Sequence, residues 1–255
     1  MLFAMTFCFL GCNGNYLVPI VGQEERSIHR YDLLESRYLT TNDYSALQEM
    51  KTQYVLETRV LIENLLRIGT IDSPGINVKL TRFFSDSTLV KIVEDVEKEF
   101  QNMDEEEEQL SDALDVLDDI FPEIEKPQVY TMIGDLGQSI IVSGNKVGIS
   151  LDKYLGEDYP IYKKYYQEDQ LKQMRRDYIV PDCLGIYLLS KFPLKDFEHA
   201  PQHERDLHVQ CVFKVVNKLI GKEFFTKEYT KDIDRYLDEH KGEKAEDILK
   251  KNYVG

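Results

Sequence analysis

Between Gln128 and Asp152, the segments Val129-Tyr130-Thr131-Met132-Ile133, Ser139-Ile140-Ile141-Val142 and Val147-Gly148-Ile149-Ser150-Leu151 decide the fold. Each is a short run rich in β-branched and aromatic residues, the composition of a strand rather than of a helix. Ser143-Gly144-Asn145-Lys146 joins the last two and has the composition of a tight hairpin turn. These three segments stand alone between long stretches of helical periodicity. Helices first, a small central sheet or hairpin, then helices again predict a mostly helical α+β protein, because alternating βαβ units are not seen.

Upstream, Tyr44, Leu47, Met50, Tyr54, Thr58, Leu61, Leu65 and Ile68 recur at steps of three and four, which predicts one long amphipathic helix. Ile71-Asp72-Ser73-Pro74-Gly75 ends it. Leu89, Val93, Val96, Phe100 and Met103 mark a second helix, and Leu110, Ala113, Leu114, Leu117 and Phe121 a third that stops before Pro122. The acidic run Asp104 to Glu108 falls between these two, where a helix dipole favours carboxylates; it lacks the alternating Asp/Asn and Gly spacing of a calcium loop. Downstream, Leu184 to Phe192 and Leu207 to Ile220 read as helices, followed by polar helices near residues 231–240 and 243–251.

The first dozen residues are apolar and end in Phe9-Leu10-Gly11-Cys12 before polar sequence begins. This matches the tail of a lipoprotein signal, in which the cysteine is acylated and becomes the first mature residue. The run is shorter than the roughly 20 apolar residues that span a bilayer, so lipid on Cys12 would be the membrane attachment. The expected organisation is a signal over 1–11, a tether and first short helix over 12–42, and a single mainly helical domain over 43–255.

The formal net charge is −15, and between Glu94 and Glu125 fifteen acidic residues face a single base, Lys98. Such a surface argues against nucleic acid, whose phosphates need lysine and arginine, and against anionic headgroups. No phosphate-binding glycine loop, dinucleotide fingerprint or Gly-x-Ser-x-Gly elbow occurs, so no nucleotide partner and no cofactor is implied. Apart from Cys8 and Cys12, Cys183 and Cys211 remain, either as free thiols or as one disulfide; neither forms Cys-x-x-Cys spacing.

His199, His203 and His208 cluster in sequence, yet His203 and His208 are five residues apart, about 140° around a helix, and Pro201 separates His199 from them. They are weak metal candidates, and a polar loop leading into a helix at Leu207 is the plainer expectation. Tyr154, Tyr159, Tyr162, Tyr165 and Tyr166 crowd one segment, either lining a groove for peptide, glycan or protein or packing as an irregular loop on the domain.

The stretch Ile141-Val142-Ser143-Gly144-Asn145-Lys146-Val147-Gly148-Ile149-Ser150-Leu151-Asp152-Lys153-Tyr154-Leu155-Gly156-Glu157-Asp158-Tyr159-Pro160, with Tyr178-Ile179-Val180-Pro181-Asp182 after it, resembles the gliding-motility lipoprotein B family. Phe121-Pro122, Val129-Tyr130 and Gly221-Lys222 also fit, so the likeness covers roughly residues 115–225. That family is similar in layout to zinc peptidases of the zincin type, in which a hairpin ending in a Gly-x-x-Leu-Asp-x-Tyr-Leu-Gly segment precedes a His-Glu-x-x-His helix. Two histidines one turn apart bind the zinc there, and the Glu acts as general base. Superposed on that helix, Pro181 and Gly185 take the histidine positions and Asp182 the Glu position; neither Pro nor Gly supplies a ligand.

The resemblance thus implies a zincin-like scaffold without its metal: a non-catalytic envelope protein, facing the periplasm from the outer membrane, that supports a motility or secretion assembly through contacts with other envelope proteins. Asp152, Tyr154, Tyr159 and Asp182 are its candidate functional surface. The alternative is a divergent periplasmic metallopeptidase or other hydrolase. On the lipoprotein reading, Cys12→Ser should move the protein from the detergent phase to the aqueous phase in a detergent-partitioning experiment; equal partitioning of wild type and variant would refute acylation at Cys12.

Overall fold

A computed structural model describes residues 28–251; Cys12 and the rest of the expected signal and tether up to residue 27 lie outside the described residues. Eleven α-helices and four strands are present among them. The sheet consists of β1 (Ile28–His29), β2 (Gln128–Met132), β3 (Ile140–Ser143) and β4 (Lys146–Ser150), in the spatial order β1-β2-β4-β3. β3 and β4 form the expected antiparallel hairpin, with Ser143 opposite Lys146. Gly144 takes φ 66 at the first turn position, where a glycine pays no steric cost.

β2 joins the hairpin on its β4 side, not beside β3, its neighbour in sequence. It pairs in parallel with β4, from Gln128 opposite Lys146 to Met132 opposite Ser150, and β1 adds a further parallel pair. The chain leaving β2 must therefore cross the end of β4 to reach β3 on the far side. Residues 133–139 make that crossing.

Six helices precede β2: α1 (Tyr31–Thr41), α2 (Tyr44–Thr52), α3 (Val55–Arg59), α4 (Ile76–Phe83), α5 (Ser87–Glu99) and α6 (Asp104–Ile120). Asp43 and Asp86 start α2 and α5 by accepting from the backbone N–H of Ser45 and Thr88, each at 2.8 Å. The acidic run expected between two helices is instead the first turn of α6, so its carboxylates sit where the helix dipole stabilises them.

The single long helix expected from Tyr44 to Ile68 is broken. α2 ends at Thr52, α3 begins at Val55, and Val60–Leu65 continues as a π-helical turn. The Thr58 hydroxyl donates to the Met50 carbonyl at 2.6 Å and accepts from the Tyr31 phenol at 3.0 Å. These buried bonds hold the break where apolar periodicity alone runs straight through.

A domain beginning at residue 43 leaves out part of its own core. Ile28, Tyr31, Leu34 and Tyr38 all join the main apolar cluster, and α1 packs on α2, α5 and β2. β1 had no sequence signal because two residues are too few to show alternation.

After β4 the chain makes a short 3₁₀ turn (Leu151–Lys153), runs through the tyrosine segment, and forms α7 (Glu168–Leu171), α8 (Ile179–Lys191), α9 (Gln202–Leu219), α10 (Lys227–Glu239) and α11 (Ala245–Lys250). α8 lies against β3, β4, α6 and α9, and α9 in turn carries α10 and α11. α9 starts five residues before Leu207, directly after Pro201, so His203 belongs to the helix with His208 and not to the loop before it. Cys183 and Cys211 are both free and buried, the latter donating to the Ala245 carbonyl.

Gly148, at the middle of β4, sits under two side chains of β2. A Cβ built there would lie 2.7 Å from Tyr130 Cζ and Oη and would also meet the Met132 methyl. Tyr130 is itself buried edge-on against Tyr31. Gly148→Ala should therefore cost about 1–3 kcal/mol by overpacking, read as a lower urea midpoint with unchanged m. An unchanged midpoint would show that Tyr130 and Met132 move aside freely.

Candidate functional site

The crossing loop is held from below by Asp152. Its Oδ1 accepts from the Gly134 N–H at 2.6 Å and its Oδ2 from the Leu136 N–H at 2.8 Å, while its own backbone carbonyl accepts from the Tyr162 phenol. The carboxyl is fully buried. Burial pushes its pKa up to about 6, against the two N–H donors that favour the ionised form. Leu136 is held at φ 67, a conformation that the Asp152 and Lys153 contacts around it maintain.

Lys153 and the tyrosines complete the wall. The Lys153 ammonium donates to the Leu136 carbonyl at 3.1 Å and the Tyr166 phenol oxygen at 2.8 Å, and lies 4.1 Å from the Tyr166 ring centroid; the Tyr166 phenol donates to the same carbonyl. Burial lowers the Lys153 pKa, opposed by Asp152 and Asp135. Tyr162 is fully buried and donates to Asp152, Tyr159 donates to Asp95 Oδ2 of α5 at 2.8 Å, and Tyr165 is exposed. Most of the tyrosine segment is thus packed on the domain, while Tyr154 and Tyr166 line a cavity.

That cavity is about 160 Å³ and is lined by Ser139, Lys153, Tyr154, Tyr166, Gln170, Gln173, Met174 and Asp182. Asp182 lies in the first turn of α8 without capping it; the helix begins at Ile179 and the carboxylate takes a 2.9 Å hydrogen bond from the Tyr154 phenol. Burial raises its pKa to about 7, and the Tyr154 bond opposes the rise. Tyr154 is pushed well above its ordinary value, first by burial and then by the Asp182 charge, with the Ser139 hydroxyl facing the same phenol.

Of the residues singled out from sequence, Tyr154 and Asp182 therefore meet at one cavity, Asp152 anchors the loop beside it, and Tyr159 points away to α5. Ser139, Gln170, Gln173 and Met174 carry no motif and enter the cavity only through folding. The three histidines do not converge. His199 is exposed and bonded to Asp196 Oδ1 at 2.6 Å, His203 is exposed on α9, and His208 is buried with its pKa lowered by burial and its Nε2 unbonded. Among the described residues no three of His, Cys, Asp and Glu are grouped as a metal would require.

A zincin-type zinc does not fit α8. Pro181 and Gly185 are buried, one turn apart on a single face, and a Cβ on Gly185 would touch Val216 of α9 at 3.9 Å. Gly185 faces α9, and Asp182 lies about 100° around the helix from Pro181 and about 60° from Gly185, at the cavity.

These features describe a mainly helical α+β protein with a small mixed sheet and a carboxylate-anchored crossing loop. A model of the gliding motility protein GldB family matches residues 21–204, more than half of the chain, and the chain belongs to that family. The match reaches far N-terminal of the stretch that carries the sequence resemblance, taking in β1 and α1 to α6, and stops before Gly221-Lys222. No curated protein and no solved structure matches the chain. Membership marks it as a gliding-motility-associated lipoprotein and associates it with the cell envelope. No helix among the described residues is long and apolar enough to cross a membrane.

The raised carboxyls set a pH dependence. Asp152 and Asp182 titrate higher folded than the ordinary 3.9 or so of an unfolded Asp, so the folded state binds more protons between about pH 4 and 7. Their contribution is full below that window and is lost as pH rises through it. Asp182→Asn should flatten the upper part of the decline, measured as urea midpoints between about pH 5 and 8. Parallel profiles for wild type and variant would show that Asp182 is not the titrating group.

Proposed function

We propose that this protein is a non-catalytic, lipid-anchored envelope component that supports a motility or secretion assembly through protein contacts, facing the periplasm from the outer membrane. The observation that carries the reading is the sequence of α8: at the two positions where a zincin-type peptidase needs histidines stand the buried Pro181 and Gly185, neither of which offers a side-chain ligand. On the zincin comparison the chain has the order of hairpin, tyrosine segment and helix, and Asp182 would take the position of the general base, with no ligand pair beside it to hold a water-activating metal. Family membership supplies the link to gliding motility.

The test has a biochemical and a cellular arm. The purified protein, incubated with zinc and dialysed, should retain no stoichiometric metal and show no chelator-sensitive peptide hydrolysis. Deletion of the gene should abolish surface spreading or secretion, with rescue by wild type and not by Cys12→Ser. Stoichiometric zinc with chelator-sensitive cleavage would establish the hydrolase alternative instead.

A further inference from the structure

The Asp182 carboxylate has no cation. Its hydrogen-bond partner is the Tyr154 phenol, which occupies Oδ2, and no Lys, Arg or His among the described residues pairs with it. Oδ1 takes no bond from the protein, and the side chain is partly exposed at the cavity. A half-buried carboxylate satisfied on one oxygen only is a site with a missing partner: water reaches it, but a positive charge would gain more.

The walls define what kind of charge fits. About 160 Å³ accommodates one side chain and little else. Tyr154, Tyr166 and Met174 supply aromatic and thioether surface for an alkyl stem, and Gln170 and Gln173 supply amide groups beside it. Lys153, the cavity's own cation, is turned to the Leu136 carbonyl and Tyr166 and is already bound. A guanidinium recognises a carboxylate best through both oxygens, and here one is taken; an ammonium needs a single open oxygen.

We propose that this cavity receives a lysine side chain presented by a partner protein, its ammonium pairing with Asp182 Oδ1 and its stem lying between Tyr154, Tyr166 and Met174. The site rests on the reading of the protein as one that works through contacts, and it gives that reading a recognition element. Tyr154 positions the carboxylate, and the exposed Tyr165 and α7 lie on the same segment of chain as the cavity wall. Because Asp182 must be ionised to pair, binding should strengthen as pH rises and level off above the titration of that carboxyl.

The probes are Nα-acetyl-lysine methylamide, its arginine analogue, and the uncharged Nα-acetyl-norleucine methylamide, titrated into the detergent-solubilised full chain while the Met174 methyl resonance is followed. The lysine probe should give a saturable shift, at least tenfold tighter than the arginine and norleucine probes. Asp182→Asn should weaken it at least tenfold. In wild type, affinity should fall about tenfold per pH unit well below neutrality, a readout that does not depend on how the variant folds. Equal affinity for the norleucine probe, or a pH-independent affinity, would overturn the lysine site while leaving the non-catalytic reading standing on α8. Cleavage of the probe's amide would overturn the non-catalytic reading while leaving the site in place.

Discussion

The crossing of residues 133–139 over the end of β4 is the constraint on which the centre of the molecule depends. A parallel β2–β4 pair with β3 outside it requires this crossing, and the crossing exposes backbone N–H groups that no strand can satisfy. Asp152 answers two of them at once, at Gly134 and Leu136, and Glu35 of α1 accepts from the Ile133 N–H at 2.8 Å. Leaving either donor buried and unpaired would cost about 1–3 kcal/mol. Two acids from distant parts of the chain therefore hold one loop, and burial drives both carboxyls above their ordinary pKa.

From that loop the structure spreads in two directions. Lys153 and Tyr166 grip the Leu136 carbonyl and so tie the tyrosine segment to the crossing, which forms one wall of the cavity beneath Asp182. At the far end of the segment, Arg176 binds Glu106 through two nitrogens and also reaches the carbonyls of Glu99 and Asn102. This bidentate pair fastens the segment across the α5–α6 corner with a geometry that a lysine would not reproduce. Part of the strongly acidic region thus has a structural use, since Glu106 is buried in that pair while much of the rest of the first turn of α6 remains on the surface.

The segment is thus tied down at both ends, to the crossing through Lys153 and Tyr166 and to α6 through Arg176, and part of it lines the cavity. Relative to a peptidase of the zincin layout, the chemistry would be altered at a few positions. On that comparison Pro181 and Gly185 would stand where the ligands do, and Asp182 places a carboxylate beside Tyr154 at the cavity.

The sequence by itself determined the α+β class, the hairpin at Gly144-Asn145, the helices around Val93 and Leu114, and the family, because these are local matters of period, turn chemistry and motif. It also marked Asp152, Tyr154 and Asp182. Tertiary structure alone decided that β2 lies beside β4, that Ile28 and His29 form a strand, and that the Tyr44–Ile68 pattern breaks around Thr58, since each depends on partners tens of residues away. It likewise decided that Tyr159 leaves the cavity for Asp95 while Ser139, Gln170 and Gln173 enter it. A pattern of residues can say which side chains are able to form a site, but which of them face one another is settled by packing, where a buried donor takes the nearest acceptor that the fold supplies.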